Sequence, residues 1–324
     1  MHDITHLLRE TADRAARYLE SLDERSVAPA SDAIDALAAF DVPLQNEAID
    51  PAKVLAQLDS IGSPATMAVA GPRFFGYVVG GALPASVAAN WLAAAWDQKT
   101  AYASASPATS ALEHVVLTWM LDLLRFPPTC AGGFVTGTTA AHITALAAAR
   151  HAVLAKAGWN VEADGLFGAP PITVIVGSEA HASLYKALGV VGLGRSRVMK
   201  VPVDDQGRMR ADALPRIVGP TIVCAQVGSV NTGACDPVGE ICDVAHARSA
   251  WVHIDGAFGL WARVAPSRAH LVEGLELADS WATDCHKWLN VPYDSGMAFV
   301  RDGNALRAAM AVTAEYLPAA SAQR

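Results

Sequence analysis

The chain has 324 residues, 52% of them hydrophobic and 17% charged, with a net charge of −8. That composition fits one large or two modest domains with a sizeable buried core, and it excludes a disordered or charged scaffold. The negative balance argues against a nucleic-acid footprint. The five cysteines show no Cys-x-x-Cys spacing, which argues against a disulfide framework or structural zinc and fits a reducing cytoplasm.

The N-terminus lacks a basic start followed by an apolar core, so no signal peptide is expected. Ile4, Leu7, Leu8, Ala15, Tyr18, Leu19 and Leu22 recur at helical spacing and predict an amphipathic helix. It packs either on its own domain or on a second subunit. Residues 27–50 read as an irregular linker, and 51–61 as a short helix. Phe74, Phe75 and Tyr77 are either core or the lining of a pocket. Residues 82–96 are alanine-rich and interrupted by Asn90, which predicts a buried helix and not a membrane span. Ser106, with Glu113 soon after it, predicts a capped helix start that continues through Leu124.

From Gly132 the rhythm changes to strand–helix alternation. Seven apolar, mostly β-branched runs stand at 134–136, 172–177, 197–203, 221–228, 251–255, 280–284 and 296–301. Helical segments separate most of them, which calls for a mostly parallel sheet covered on both faces. In such sheets ligands bind at the carboxyl ends of the strands, and the chemistry-bearing residues fall there. Gly137-Thr138-Thr139 follows the first run and opens a helix. Its free N–H groups, two hydroxyls and the helix dipole suit a phosphate, although such a turn is also an ordinary helix cap. His181 follows the second run and is either a helix cap or a ring that stacks on a cofactor. Asp255 ends the fifth run and Lys287 follows the sixth. A strand-end carboxylate paired with a strand-end lysine suits pyridoxal phosphate. The lysine forms a Schiff base and the aspartate keeps the pyridine nitrogen protonated. Burial and nearby cations would ease loss of the lysine proton. His253, Asp255 and His286 read as metal ligands would leave the lysine and the phosphate turn unexplained, so no metal is expected.

His286-Lys287-Trp288, His253-Ile254-Asp255-Gly256-Ala257 and His181-Ala182-Ser183-Leu184-Tyr185-Lys186-Ala187 occur in one order and spacing. Together they resemble the group II pyridoxal-phosphate decarboxylases, which act on aromatic amino acids, glutamate or tyrosine. The resemblance runs from about residue 46 to the last residue. It implies an α/β fold of the fold type I, aspartate-aminotransferase-like class, with a seven-stranded, mostly parallel large domain. It also implies a homodimer, an amino-acid substrate, and decarboxylation to an amine and carbon dioxide. The related alternatives are transamination, aldehyde synthesis or an inactive fragment.

Residue by residue, the resemblance gives Thr138 and Thr139 to the phosphate and His181 to the pyridine ring. Ala257 is the small residue under that ring, and His286 contacts the phosphate. Asp255 and Lys287 keep the roles above. The family often has an acidic residue where Ala140 stands, Asn where His142 stands, and Gly-Thr-Thr where Gly228-Ser229-Val230 stands. Asp284 replaces a frequent Asn. Tyr316, followed by Leu317, matches a mobile-loop tyrosine that protonates the carbanion carbon. The expected organisation is an N-terminal helical, dimerising segment over 1–95, a cofactor-binding domain over 96–308, and the start of a catalytic loop over 309–324. The family's C-terminal small domain is expected to be missing, leaving apolar surface uncovered.

Overall fold

A computed structural model describes residues 4–100 and 102–312. It divides into two compact units, Met1–Gly81 and Ala82–Arg324.

The first unit holds α1 (Ile4–Glu20), α2 (Ser31–Ala36) and α3 (Pro51–Gln57). The periodicity of α1 predicts its helix correctly, and α1 packs within its own unit. There the Arg14 guanidinium meets the Asp59 carboxylate at 3.0 Å. Asp50 caps α3 by accepting the Ala52 N–H at 2.9 Å, with Pro51 at the first helical position. Two expectations are corrected. The supposed linker contains α2 and a 3-10 turn, Leu37–Phe40, because its alanine-rich sequence favours helix. Phe75 and Tyr77 are not core in this unit, being 93% and 89% exposed.

The second unit adds α4 (Pro84–Trp96), α5 (Pro107–Leu124), β1 (Ala131–Val135), α6 (Thr138–Lys156), α7 (Val161–Asp164), β2 (Thr173–Gly177), α8 (Ala182–Val190), β3 (Met199–Val201), β4 (Thr221–Gln226), α9 (Val238–His246), β5 (Trp251–Asp255), β6 (Ser280–Asp284), β7 (Gly296–Val300) and α10 (Gly303–Met310). The unit begins at Ala82, just before α4. The start of α4 is tied to the loop after Lys287, where the Leu83 N–H donates to the Asn290 carbonyl at 2.8 Å. The Ser86 hydroxyl donates to the same carbonyl at 3.0 Å. The expectation that 82–96 forms a buried helix fails in this chain, where Trp91, Leu92 and Trp96 are about half exposed. The cap predicted at Ser106 also differs, since its hydroxyl donates to the Lys99 carbonyl and its oxygen accepts no helix N–H.

The seven strands form one sheet in the order β1-β7-β6-β5-β4-β2-β3. β7 is antiparallel to both neighbours and the other pairings are parallel. This is the expected α/β, mostly parallel fold. Alternation along the strands sends successive side chains to opposite faces. Val223, Val252, Ile254, Trp281 and Phe299 pack with α9 and the end of α5 on one face. Ile222, Cys224 and Trp251 pack with α6 and α8 on the other. That register has a functional consequence: Trp251, His253 and Asp255 all turn to the α6 face.

Candidate active site

The carboxyl ends of β1, β2, β5 and β6 lie along one edge of the sheet, because β1 and β6 both run antiparallel to β7 between them. The predicted residues follow these ends. Thr138, Thr139, His181, Ala257, His286 and Lys287 line one cleft of about 360 Å³. Asp255 stands two residues before Ala257 and is buried. It lines a tight crevice that shares His181 with the cleft. Tyr316 lies outside the described residues.

The phosphate turn is held by close backbone approach. Gly296, at the start of β7, faces Gly137, and a Cβ on Gly296 would stand 2.6 Å from the Gly137 Cα. A Cβ on Gly137 would press on Asp284 and His286 at 3.2 Å. Thr138 opens α6, and its N–H donates to Asp284 Oδ1 at 2.6 Å. The first N–H groups of a helix have no partner within it, which leaves those of Thr139 and Ala140, both lining the cleft, without one inside α6. The Thr138 hydroxyl is buried without a hydrogen-bond partner among the described residues.

Asp284 joins this turn to the lysine. Its Oδ2 is 3.0 Å from Lys287 Nζ, and its Oδ1 is 3.5 Å from His286 Nε2. The side chain at contact distance from Lys287 Nζ is therefore a carboxylate and not a cation. The Lys287 ammonium also stands 5.9 Å from the Phe258 ring centre. The His286 ring stacks on Tyr293, with centroids 4.1 Å apart at 26°. The Ser295 N–H approaches His286 Nδ1 at 3.4 Å, which leaves Nε2 toward Asp284.

His181 is the N-cap of α8, its Nδ1 accepting the Ser183 N–H at 3.2 Å, and it also stands in the cleft wall. The cap fixes the ring's direction and leaves Nε2 free of that bond. Ser229 is used by its own turn, accepting the Asn231 N–H at 3.3 Å, and does not line the cleft.

Asp255 accepts the Ala257 N–H through Oδ1 at 3.1 Å, and its Oδ2 lies 3.4 Å from His142 Nε2. Burial alone would push this carboxyl up. The His142 imidazole beside it, the Ala257 N–H and His181 outweigh burial and hold it at about 2. Behind it, His142 Nδ1 meets His253 Nε2 at 2.8 Å. His253 therefore belongs to a histidine pair, and no group of three or more metal-ligating side chains occurs among the described residues. The sequence reading missed Asp284 as the clamp between turn and lysine, Ser183 and Asp294 in the cleft wall, and the role of His142. Only the departure at position 142 offered a signal for the last.

Residues 35–323 match the family described as the pyridoxal-dependent decarboxylase conserved domain. The chain is 32% identical over 270 residues to tryptophan decarboxylase 1 of Oryza sativa subsp. japonica, covering 76% of this chain and 52% of that protein. It is 28% identical over 254 residues to an aromatic-L-amino-acid decarboxylase of Bacillus atrophaeus, covering 76% and 51%. The chain thus spans about half the length of the curated relatives it matches. A solved structure of Oryza sativa TDC with PLP and tryptamine superposes with a TM-score of 0.86 at 26% identity, covering 98% of this chain and 67% of that one. Fold, strand-end residues and sequence match agree, and the chain belongs to the pyridoxal-dependent decarboxylase family.

Proposed function

We propose that this chain carries the cofactor site of an enzyme that removes the α-carboxylate of an L-amino acid, giving an amine and carbon dioxide. The observation that carries the reading is the convergence of Lys287, His181, Ala257 and the N-terminus of α6 on one cleft, with Asp255 directly behind Ala257.

The residues present fit pyridoxal phosphate. An unpartnered buried hydroxyl on Thr138 and unused donors at the start of α6 suit its phosphate. Ala257 leaves room for a flat ring over Asp255, and His181 is fixed by its cap at the cleft wall. When bound, the group supplies an electron sink for the bond that breaks. The work of the chain is to hold charge and protons around it. Asp255, kept ionised by its neighbours, would hold a proton on a ring nitrogen through a charge-assisted bond. Lys287 offers its amine for covalent attachment, and Asp284 orients that amine. His286, stacked on Tyr293, stands beside Asp284 and would help hold the phosphate. Tyr316 returns a proton to the α-carbon, a role supported by its Tyr-Leu pairing and its distance from Lys287 in the sequence.

We also read the enzyme as a cytoplasmic homodimer. The exposed apolar side chains of α4 and α5, among them Trp91, Trp96 and Trp119, support a covered face, and the unpaired cysteines support a reducing compartment. Sedimentation would show a monomer if the dimer reading is wrong.

The test is to load the purified protein with pyridoxal phosphate, reduce it with borohydride, map the labelled peptide, and assay products from a panel of L-amino acids. The expected result is a pyridoxyl group on Lys287 with amine and carbon dioxide released. Tyr316→Phe should shift product from amine toward aldehyde. A label on Lys186, or keto acid as the wild-type product, would overturn the proposal.

A further inference from the structure

Behind Asp255 a line of polar side chains runs through the most buried part of the sheet. His142, His253 and Ser280 are fully buried, and Trp251 is nearly so. The Trp251 indole N–H donates to Ser280 Oγ at 2.8 Å. Ser280 Oγ stands 2.9 Å from His253 Nδ1. His253 Nε2 stands 2.8 Å from His142 Nδ1, and His142 Nε2 faces Asp255 Oδ2 at 3.4 Å. Two strands and one helix build this line. Trp251, His253 and Asp255 alternate on β5, Ser280 opens β6, and His142 lies one turn into α6.

Donor chemistry gives the line a direction. An indole N–H can only donate, so Ser280 must accept there. Its own proton is then free for His253 Nδ1, its other hydrogen-bond partner among the described residues. A neutral imidazole that accepts at Nδ1 carries its proton at Nε2. Burial, with His142 adding to it, pushes the His253 pKa well below the ordinary value, so the ring holds one proton. That proton points at His142 Nδ1, and the same logic places the His142 proton at Nε2, toward the carboxylate. His142 Nε2 makes no hydrogen bond among the described residues, and Asp255 Oδ2, at 3.4 Å, is the acceptor it faces.

We propose that His142 is a positioning residue for Asp255. The directed chain Trp251–Ser280–His253–His142 fixes one tautomer and presents an N–H to Oδ2, while the Ala257 N–H holds Oδ1. The carboxylate is thereby locked in one orientation beneath Ala257. The purpose of this lock rests on the pyridoxal-phosphate reading above, since a carboxylate must be aimed to hold a proton on a ring nitrogen. The line itself is a property of the protein without cofactor.

The experiment is long-range proton–nitrogen NMR of the ten imidazoles in the cofactor-free protein, with His142 and His253 assigned by His142→Gln and His253→Gln. The expected result is a neutral ring protonated at Nε2 for both. Ser280→Ala should move the nitrogen shifts of His142, although Ser280 does not bond to it. A ring protonated at Nδ1 in wild type, or His142 signals indifferent to Ser280→Ala, would overturn the relay. The wild-type spectrum decides the tautomers even if a variant fails to fold. In the loaded protein, His142→Leu should weaken pyridoxal phosphate binding about tenfold, as expected for loss of a bond to a charged group. His142→Gln, which can still present an N–H, should recover most of that loss. Equal affinities for the Leu and Gln variants would refute the positioning role. Wild-type protein that does not bind pyridoxal phosphate would instead refute the functional reading, while the tautomers still report on the relay.

Discussion

Gly296→Ala tests whether the phosphate turn is built by close approach of two backbones. Gly296 begins β7 and pairs with both Val135 and Asp284, so it lies between the turn and the strand that delivers Lys287. A Cβ there would lie 2.6 Å from Gly137 Cα, 2.9 Å from Gly137 C and 2.9 Å from Thr283 O. All three are main-chain atoms, so no side-chain rotation relieves the overlap. Overpacking in a tight interior costs roughly 1–3 kcal/mol, and a backbone-only clash belongs at the upper end, about 3 kcal/mol. For a domain of this size that lowers Tm by about 6–12 °C. Relief requires Gly137 to move, which shifts Thr138 away from Asp284 and loosens the phosphate cradle. The matched control is Gly133→Ala in β1, where an added Cβ meets nothing within 4 Å. That change should be neutral, or stabilising by about 0.5 kcal/mol through the unfolded chain. Thermal melts of the two variants, with pyridoxal phosphate affinity by fluorescence titration, make the comparison. Equal Tm values for both would show that the two glycines are not a steric requirement.

Thr138→Val removes a buried hydroxyl that has no partner while keeping the shape of the side chain. The cofactor-free protein should gain roughly 1 kcal/mol, while pyridoxal phosphate affinity falls; a loss of stability without loss of affinity would show the hydroxyl to be structural. The depressed pKa of Asp255 predicts a pH window. Its folded value of about 2 lies below the ordinary carboxylate value of 3.8, so its stabilisation is present above about pH 4 and is lost as pH falls toward 2. The amount is about 2 kcal/mol. Urea unfolding at pH 5 and pH 2 should show that loss in wild type and not in Asp255→Asn, and identical pH slopes would contradict the account of a carboxylate held ionised by its neighbours.

Much of the site was legible because its chemistry is local to strand ends. The alternation of apolar runs with helices placed Thr138, His181, Asp255 and Lys287 at carboxyl ends. A parallel sheet brings such ends to one edge whatever the details of packing. The strands themselves were legible from β-branched runs, with edges displaced by a few residues where pairing decides. β1 takes in Ala131, Gly132 and Gly133 because β7 lies alongside them. Helix existence followed from spacing, but burial did not. The stretch 82–96 has the composition of a buried helix, yet Trp91 and Trp96 are half exposed in this chain. Composition records what a segment tolerates, not what covers it.

What only tertiary structure decided are the relations across the sheet. Asp284 reads in sequence as one more strand-end carboxylate, and its meeting with Thr138 is a contact between residues 146 apart. His142 reads as an interruption in an alanine-rich helix, and its partners lie on β5. The His142–His253 contact depends on the register of β5 against β6 and on the angle at which α6 crosses them. A one-residue slip would turn His253 and Asp255 to the opposite face. Residue types and their order along the chain determined which chemistry was available. Strand register and helix placement decided which of those residues could exchange a proton or a charge, because hydrogen bonds and ion pairs act over about 3 Å.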